Sequence, residues 1–276
     1  MSPASIGGGY QNPPEKKDVK RMFPVYTEKC PDNVLEMIIQ VKPEQTDRRG
    51  RMRLGDLARQ MQILTEEHFD RFSGLTIDQL NEKDLSWIIA WSELQIERLP
   101  AAGEQIRMRV WAGKKKAVLH TRKYAFYTMD GHPLITTSSL FILMDRNTRQ
   151  AAADPEQLKS AAVVQLQDEP KAPKMSIQFP DAYANRKERI VSPEEIDYNG
   201  HLNNSHYLDW TEELPEDSYL ETHVPKMVWI EYSKELKEGQ KAEMSYEIRN
   251  DLMYVRGLHD GSPSFRVKIE YDVDAS

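Results

Sequence analysis

The sequence predicts an α+β protein made of two copies of one unit, each an antiparallel sheet wrapped on a long helix. Three features predict it: an ungapped internal repeat, a helix-period stretch after each copy, and alternating strands broken by Asp-Gly turns. The repeat sets VKPEQTDRRGRM, from Val41, over VSPEEIDYNGHL, from Val191. Val41 matches Val191, Pro43 matches Pro193, and Glu44 matches Glu194. Asp47 then matches Asp197 and Gly50 matches Gly200, all at one offset.

The elements follow in the same order in both copies. LGDLARQMQILTEEHFDRF carries Leu54, Leu57, Met61 and Leu64 at helical spacing, and NSHYLDWTEEL carries Tyr207, Trp210 and Leu214. The two helices are expected to be similar in length. An apolar strand then runs to a charged Gly turn, SWIIAWSELQIERLPAAG ending at Gly103 and KMVWIEYSKELKEG ending at Gly239. Ile106, Met108 and Val110 alternate in the next strand, as do Ala242, Met244, Tyr246 and Ile248. Hairpins are expected at Asp130-Gly131 and Asp260-Gly261. In the last strand Phe265, Val267, Ile269, Tyr271 and Val273 are expected to point inward.

These signals divide the chain into a flexible tail over 1–21, a first unit over 22–149, a linker over 150–176 and a second unit over 177–276. The linker is expected to hold one short helix, about Pro155 to Val163. Two such units can pair their sheets edge to edge about a pseudo-twofold axis, as a symmetric dimer would.

Bulk composition narrows the function classes. Hydrophobic residues at 39% and charged residues at 29% match a soluble globular chain. A formal charge of −7 disfavours indiscriminate binding to nucleic acid or anionic lipid. The start of the chain has no apolar secretory core, so a cytoplasmic protein without membrane attachment is expected. Cys30, the single cysteine, excludes an internal disulfide framework and any multi-cysteine metal site. His201 and His206 are poorly spaced for one helix face, so neither a metal nor a cofactor is expected.

Divergence between the copies marks a candidate site. Asp47 and Asp197 are shared, which suggests a common turn-fixing role. Asn199 faces Arg49 and His201 faces Arg51, so only the later copy carries an amide and an imidazole. Such a pair can polarise a carbonyl and move a proton, which ester or thioester cleavage requires. If the second helix begins near Leu202 to Asn204, both residues stand at its N-terminus, where N–H groups and the dipole favour an oxyanion. Glu235, from the next strand, could orient His201 or activate water itself. Its counterpart in the first copy is Glu97 on one alignment and Arg98 on another.

The string Asp197-Tyr-Asn199-Gly-His201-Leu-Asn203-Asn204, followed by Tyr207 and Trp210, resembles the signature of the acyl-ACP thioesterases. WIIAWSELQIERLPAAGE, SSLFILMDRNTR and WIEYSKEL stand in that family's order, so the resemblance covers nearly the whole chain from Met22. It implies a tandem double hot-dog fold and hydrolysis of fatty acyl chains from acyl carrier protein. It also implies catalytic roles for Asp197, Asn199, His201 and Glu235, with either Asp197 or Glu235 taking part in water activation. Plant members often have a cysteine after that glutamate; here Leu236 stands there, so no cysteine nucleophile is expected. The missing chloroplast transit segment suggests a bacterial member.

By the same resemblance the acyl tail is expected in the first unit, with Leu57, Met61, Leu64, Trp87 and Ile89 as tunnel candidates. An acidic carrier requires a basic face. Arg48, Arg49, Arg51 and Arg53 form one available cluster; Lys114, Lys115 and Lys116 with Arg122 form the other. The chain is expected to act as a monomer, internally a pseudo-dimer, or as a homodimer. The alternative readings are a hot-dog acyl-CoA thioesterase using the same site, a hot-dog dehydratase and a non-catalytic acyl-binding protein.

Overall fold

Apolar alternation builds the strands, and short turns fold each strand back on the one before it. The computed structural model describes residues 26–159, 163–167 and 169–273; the tail expected over 1–21 lies outside them. The first unit comprises β1 (Leu35–Gln40), α1 (Leu54–Phe72), α2 (Ile77–Asn81), β2 (Leu85–Ile96), β3 (Gln105–Ala112), β4 (Leu119–Thr128) and β5 (Pro133–Asp145). A connecting segment holds β6 (Gln150–Ala151) and α3 (Glu156–Lys159). The second unit comprises β7 (Asn185–Ile190), α4 (His206–Glu212), α5 (Asp217–Thr222), β8 (His223–Tyr232), β9 (Lys241–Arg249), β10 (Leu252–His259) and β11 (Ser262–Val273).

The strands join in one antiparallel sheet in the order β1-β3-β4-β5-β2-β8-β11-β10-β9-β7, with β6 beside β5. Read outward from the centre, β2-β5-β4-β3-β1 repeats as β8-β11-β10-β9-β7. The halves meet where β2 pairs with β8, from Trp91 opposite Glu231 to Gln95 opposite Met227. The Asp260-Gly261 hairpin has φ of 49° and 71° at its two turn residues, the mirror-image geometry that matches strand twist. Ile106, Met108 and Val110 are buried as their alternation predicts, as are Phe265, Val267, Ile269 and Tyr271. Val273 is instead 65% exposed, at the very end of its strand.

The repeat forms the same loop twice. After a single 3-10 turn, Pro43–Gln45 or Pro193–Glu195, the chain bends back through Gly50 or Gly200, both at positive φ. Met52 N–H donates to the Pro100 carbonyl at 2.8 Å, and Leu202 N–H donates to the Leu236 carbonyl at 2.7 Å. These matched bonds set Leu236 over Pro100, so Glu235 faces Leu99. Neither Glu97 nor Arg98 is its counterpart, because the two segments between helix and turn differ in length. Leu99 is buried and apolar, so the first copy holds no carboxylate there.

The helices differ more than their patterns suggest. α1 has 19 residues, whereas α4 has seven and gives way at Leu214-Pro215 before the six residues of α5. Proline cannot donate to the preceding turn and disfavours helix in the residue before it, which ends the run. α1 has no side-chain cap of its own at Arg53. Glu212 of α4 supplies one, accepting from Leu54 N–H at 2.9 Å and Gly55 N–H at 3.3 Å. Within the expected Pro155 to Val163 the described residues hold a helix over Glu156–Lys159, and residues 160–162 lie outside the described set.

Candidate active site

Asp197 shapes the loop that carries the candidate groups. Its Oδ1 accepts from Asn199 N–H at 2.8 Å and His201 N–H at 3.3 Å, and Gly200 N–H donates to its carbonyl at 3.0 Å. Asp47 makes the matching bonds to Arg49 and Arg51 N–H, both at 2.9 Å. Both aspartates thus fix the turn through Oδ1, but their second oxygens differ: Asp47 Oδ2 takes the Arg51 guanidinium, whereas Asp197 Oδ2 faces the Asn199 amide. The turn bonds to Asp197 occupy the Asn199, Gly200 and His201 N–H groups. An oxyanion held by those amides, as the sequence suggested, therefore has no donors to use. α4 also starts at His206, beyond Asn199 and His201, so its first turn does not contain them.

What remains in the loop is side-chain chemistry. Asn199 presents its amide, with Nδ2 3.5 Å from Asp197 Oδ2. His201 Nε2 lies 3.5 Å from Glu235 Oε1, and both side chains are about one quarter exposed. Two residues that sequence reasoning missed complete the group. Arg149 donates to Glu235 Oε1, and Arg146 Nη2 lies 3.4 Å from Asn199 Oδ1. Both arginines belong to the turn after β5, and the only sequence signal for them is a charged DRNTR run ending an apolar strand. In the first copy the arginines that stand in place of Asn199 and His201 make different bonds: Arg49 donates to the Glu221 carbonyl, and Arg51 pairs with Asp47 and reaches the Leu220 carbonyl.

A cavity of about 280 Å³ opens between α1 and the sheet of the first unit. Met61, Thr65 and Phe69 of α1 line it against Trp87 and Ile89 of β2 and Phe141 of β5. Ile230 and Tyr232 of β8 border it, and Asp197, Tyr198 and Asn199 stand in its wall. His201 and Glu235 lie outside that wall. Of the five tunnel candidates, Met61, Trp87 and Ile89 line the space, whereas Leu57 and Leu64 are fully buried in the core. Helical spacing marks Leu57, Met61 and Leu64 as inward on α1 but cannot separate the core face from the cavity face.

The far side of the cavity is polar. Arg122 is buried there, donating to His68 Nδ1 at 2.5 Å and Ser73 Oγ at 3.2 Å, with Phe69 5.4 Å beneath its guanidinium. Burial and that guanidinium hold the His68 imidazole down at about 4. Burial likewise lowers Arg122 to about 10, still protonated at neutral pH. Arg122 is therefore wall and not surface. Lys115 also lines the cavity and pairs with Asp154, whose carboxylate also accepts from His120 Nε2 at 3.1 Å. Lys114, Lys115 and Lys116 are all exposed, as are Arg48 and Arg49. Arg48 pairs with Asp217 of α5 and Arg53 with Asp56.

Comparison with known proteins agrees with this architecture. The acyl-ACP thioesterase N-terminal domain matches residues 32–160, and the acyl-ACP thioesterase C-terminal domain matches 180–272. The chain is 28% identical over 171 residues to a dodecanoyl-[acyl-carrier-protein] hydrolase of Cinnamomum camphora, covering 59% of this chain and 44% of that protein. It is 24% identical to a palmitoyl-acyl carrier protein thioesterase of Cuphea hookeriana, covering 57% and 40%. The chain thus spans less than half the length of these relatives. Among solved structures, an acyl-ACP thioesterase from Bacteroides thetaiotaomicron superposes with a TM-score of 0.76 at 18% identity, over 87% of this chain and 98% of that one. The 12:0-ACP thioesterase from Umbellularia californica gives 0.78 at 17% identity, over 89% and 100%. These likenesses make the fold a double hot-dog. With both domains of the family matched in order along most of its length, this chain belongs to the acyl-ACP thioesterase family.

Proposed function

We propose that the chain hydrolyses the thioester of a fatty acyl chain on acyl carrier protein, releasing the fatty acid and the free carrier thiol. The observation that carries this reading is a division of space. Asn199 stands in the wall of a cavity in the first unit, and the His201–Glu235 pair lies beside it, outside the wall and part-exposed. The tail would enter the cavity, the carbonyl would stop at the Asn199 amide, and water would approach from the open side. His201, oriented by Glu235, takes the proton of the attacking water. The carbonyl oxygen gains charge facing Asn199 Nδ2, and collapse expels the thiolate, which takes up the proton.

Membership of the family and the names of the relatives support the carrier-bound substrate. A coenzyme A thioester would present the same carbonyl. Carrier docking would draw on the exposed cations expected from the sequence, Lys114, Lys115 and Lys116 together with Arg48 and Arg49. The test is a hydrolysis panel over carrier and coenzyme A thioesters of one chain length, repeated with His201→Ala and Asn199→Ala. Turnover of the carrier thioester that both variants abolish is the expected result. Full activity in both variants, or faster turnover of the coenzyme A thioester, overturns the assignment.

A further inference from the structure

One turn of the first unit reaches into the candidate site of the second. Asp145 Oδ1 caps that turn, accepting from Asn147 N–H at 2.9 Å and Thr148 N–H at 2.8 Å. Arg149 N–H closes it on the Asp145 carbonyl at 2.9 Å. Arg149 itself sits at φ 59°, a left-handed conformation that a residue with a side chain avoids. From there its guanidinium grips Glu235 Oε1, the same oxygen that lies 3.5 Å from His201 Nε2. Arg146 is held by Asn81 Oδ1 at 2.5 Å and points a second bond, at 3.4 Å, toward Asn199 Oδ1. A donor on that oxygen fixes which way the amide faces and turns its N–H₂ group to the other side.

Stability does not account for this arrangement. The Arg149 side chain is 54% exposed, and an ion pair so open to water adds little to folding, while the left-handed backbone costs something. We infer that Arg149 and Arg146 are positioning residues for the proposed hydrolysis, Arg149 aiming the Glu235 carboxylate at His201 and Arg146 orienting the Asn199 amide. The active group is then shared: the second unit supplies the reacting side chains and the first holds them in register. A carboxylate free to rotate loses its line to the imidazole, and the imidazole loses its orientation toward water. This inference rests on the reaction proposed above.

A double-mutant cycle on the full chain tests it, with acyl carrier protein thioester as substrate. Arg149→Ala is expected to lower kcat by roughly 10- to 100-fold, the range for displacing a reacting group by about an ångström, with KM little changed. In a Glu235→Gln background the same change should have almost no further effect, because the two residues act through one interaction. Arg149→Lys should recover part of the loss, and Asn147→Ala, on the same turn, should leave kcat as it was. Equal losses with and without Glu235, or an Arg149→Ala enzyme with unchanged kcat, overturn the inference. Should Arg149→Ala fold poorly, the Arg149→Lys and Glu235→Gln pair completes the same cycle and decides it. A wild-type chain without thioesterase turnover defeats the proposed reaction as well; an active one indifferent to Arg149 defeats only this inference.

Discussion

The two units share strand order, loop geometry and turn-fixing aspartate, yet one is hollow and the other is filled. In the first, α1 stands off the sheet over a cavity of about 280 Å³. In the second, the space beneath the shorter α4 is taken by Tyr207, Trp210 and Phe265, with Tyr207 and Phe265 rings 4.6 Å apart. The chemical groups are divided the other way: Asn199, His201 and Glu235 in the filled unit face Arg49, Arg51 and Leu99 in the hollow one. A symmetric dimer would build two equal sites. On the proposed reaction, two copies within one chain need not be equal: one can hold the reacting groups and the other the cavity, so that a single site draws on both.

That division can be broken at several points. The largest effect belongs to the reacting groups: His201→Ala or Asn199→Ala should cut turnover by about 10²- to 10⁴-fold while the melting temperature holds, as measured by steady-state rates and thermal unfolding. Next comes the filled core. Trp210 is fully buried among its aromatic neighbours, so Trp210→Ala should cost about 3–5 kcal/mol of stability in urea unfolding. Met61→Ala, which enlarges an existing cavity, should cost clearly less.

One pH effect belongs to His68. Burial and the Arg122 guanidinium hold its imidazole down at about 4 against an ordinary 6.5, so between these values that site binds fewer protons in the folded chain than in the unfolded one. Its contribution to stability is present above pH 6.5 and lost as pH falls toward 4, by about 3 kcal/mol. Glu212, pushed by burial up to about 8, acts with the opposite sign, losing stability as pH rises. His68→Gln should flatten that slope in unfolding titrations at stepped pH. The smallest effect is graded. Ile89→Trp should shorten the cavity and lose binding of long chains by about 0.8 kcal/mol per excluded methylene, leaving short chains alone in a KM series.

Much of the architecture was legible because repetition is a strong signal. The ungapped Val41 and Val191 matches, with Gly50 and Gly200 in register, locate both loops, and strand alternation gives the order. The fate of the second helix was less visible: Tyr207, Trp210 and Leu214 keep helical spacing up to Pro215, and spacing alone does not say how long a helix remains one piece. The counterpart of Glu235 stayed ambiguous because a length difference between strand and loop shifts the alignment. Only the matched backbone bonds of Met52 and Leu202 resolve it to Leu99. Arg146 and Arg149 act across long sequence separations, 53 and 86 residues from their partners, where local pattern carries no information. Nor does apolar periodicity tell a core side chain such as Leu64 from a cavity side chain such as Met61.

The division of labour can be read directly by labelling. A thioether analogue of an acyl carrier protein conjugate, with a photoreactive group at the far end of its acyl chain, is bound to the full chain, irradiated and mapped by peptide mass spectrometry. The account predicts label on α1 and β4 of the first unit, among residues such as Thr65, Phe69 and Tyr124 that line the cavity. Label on α4 or β11, around Trp210 and Phe265, would contradict it.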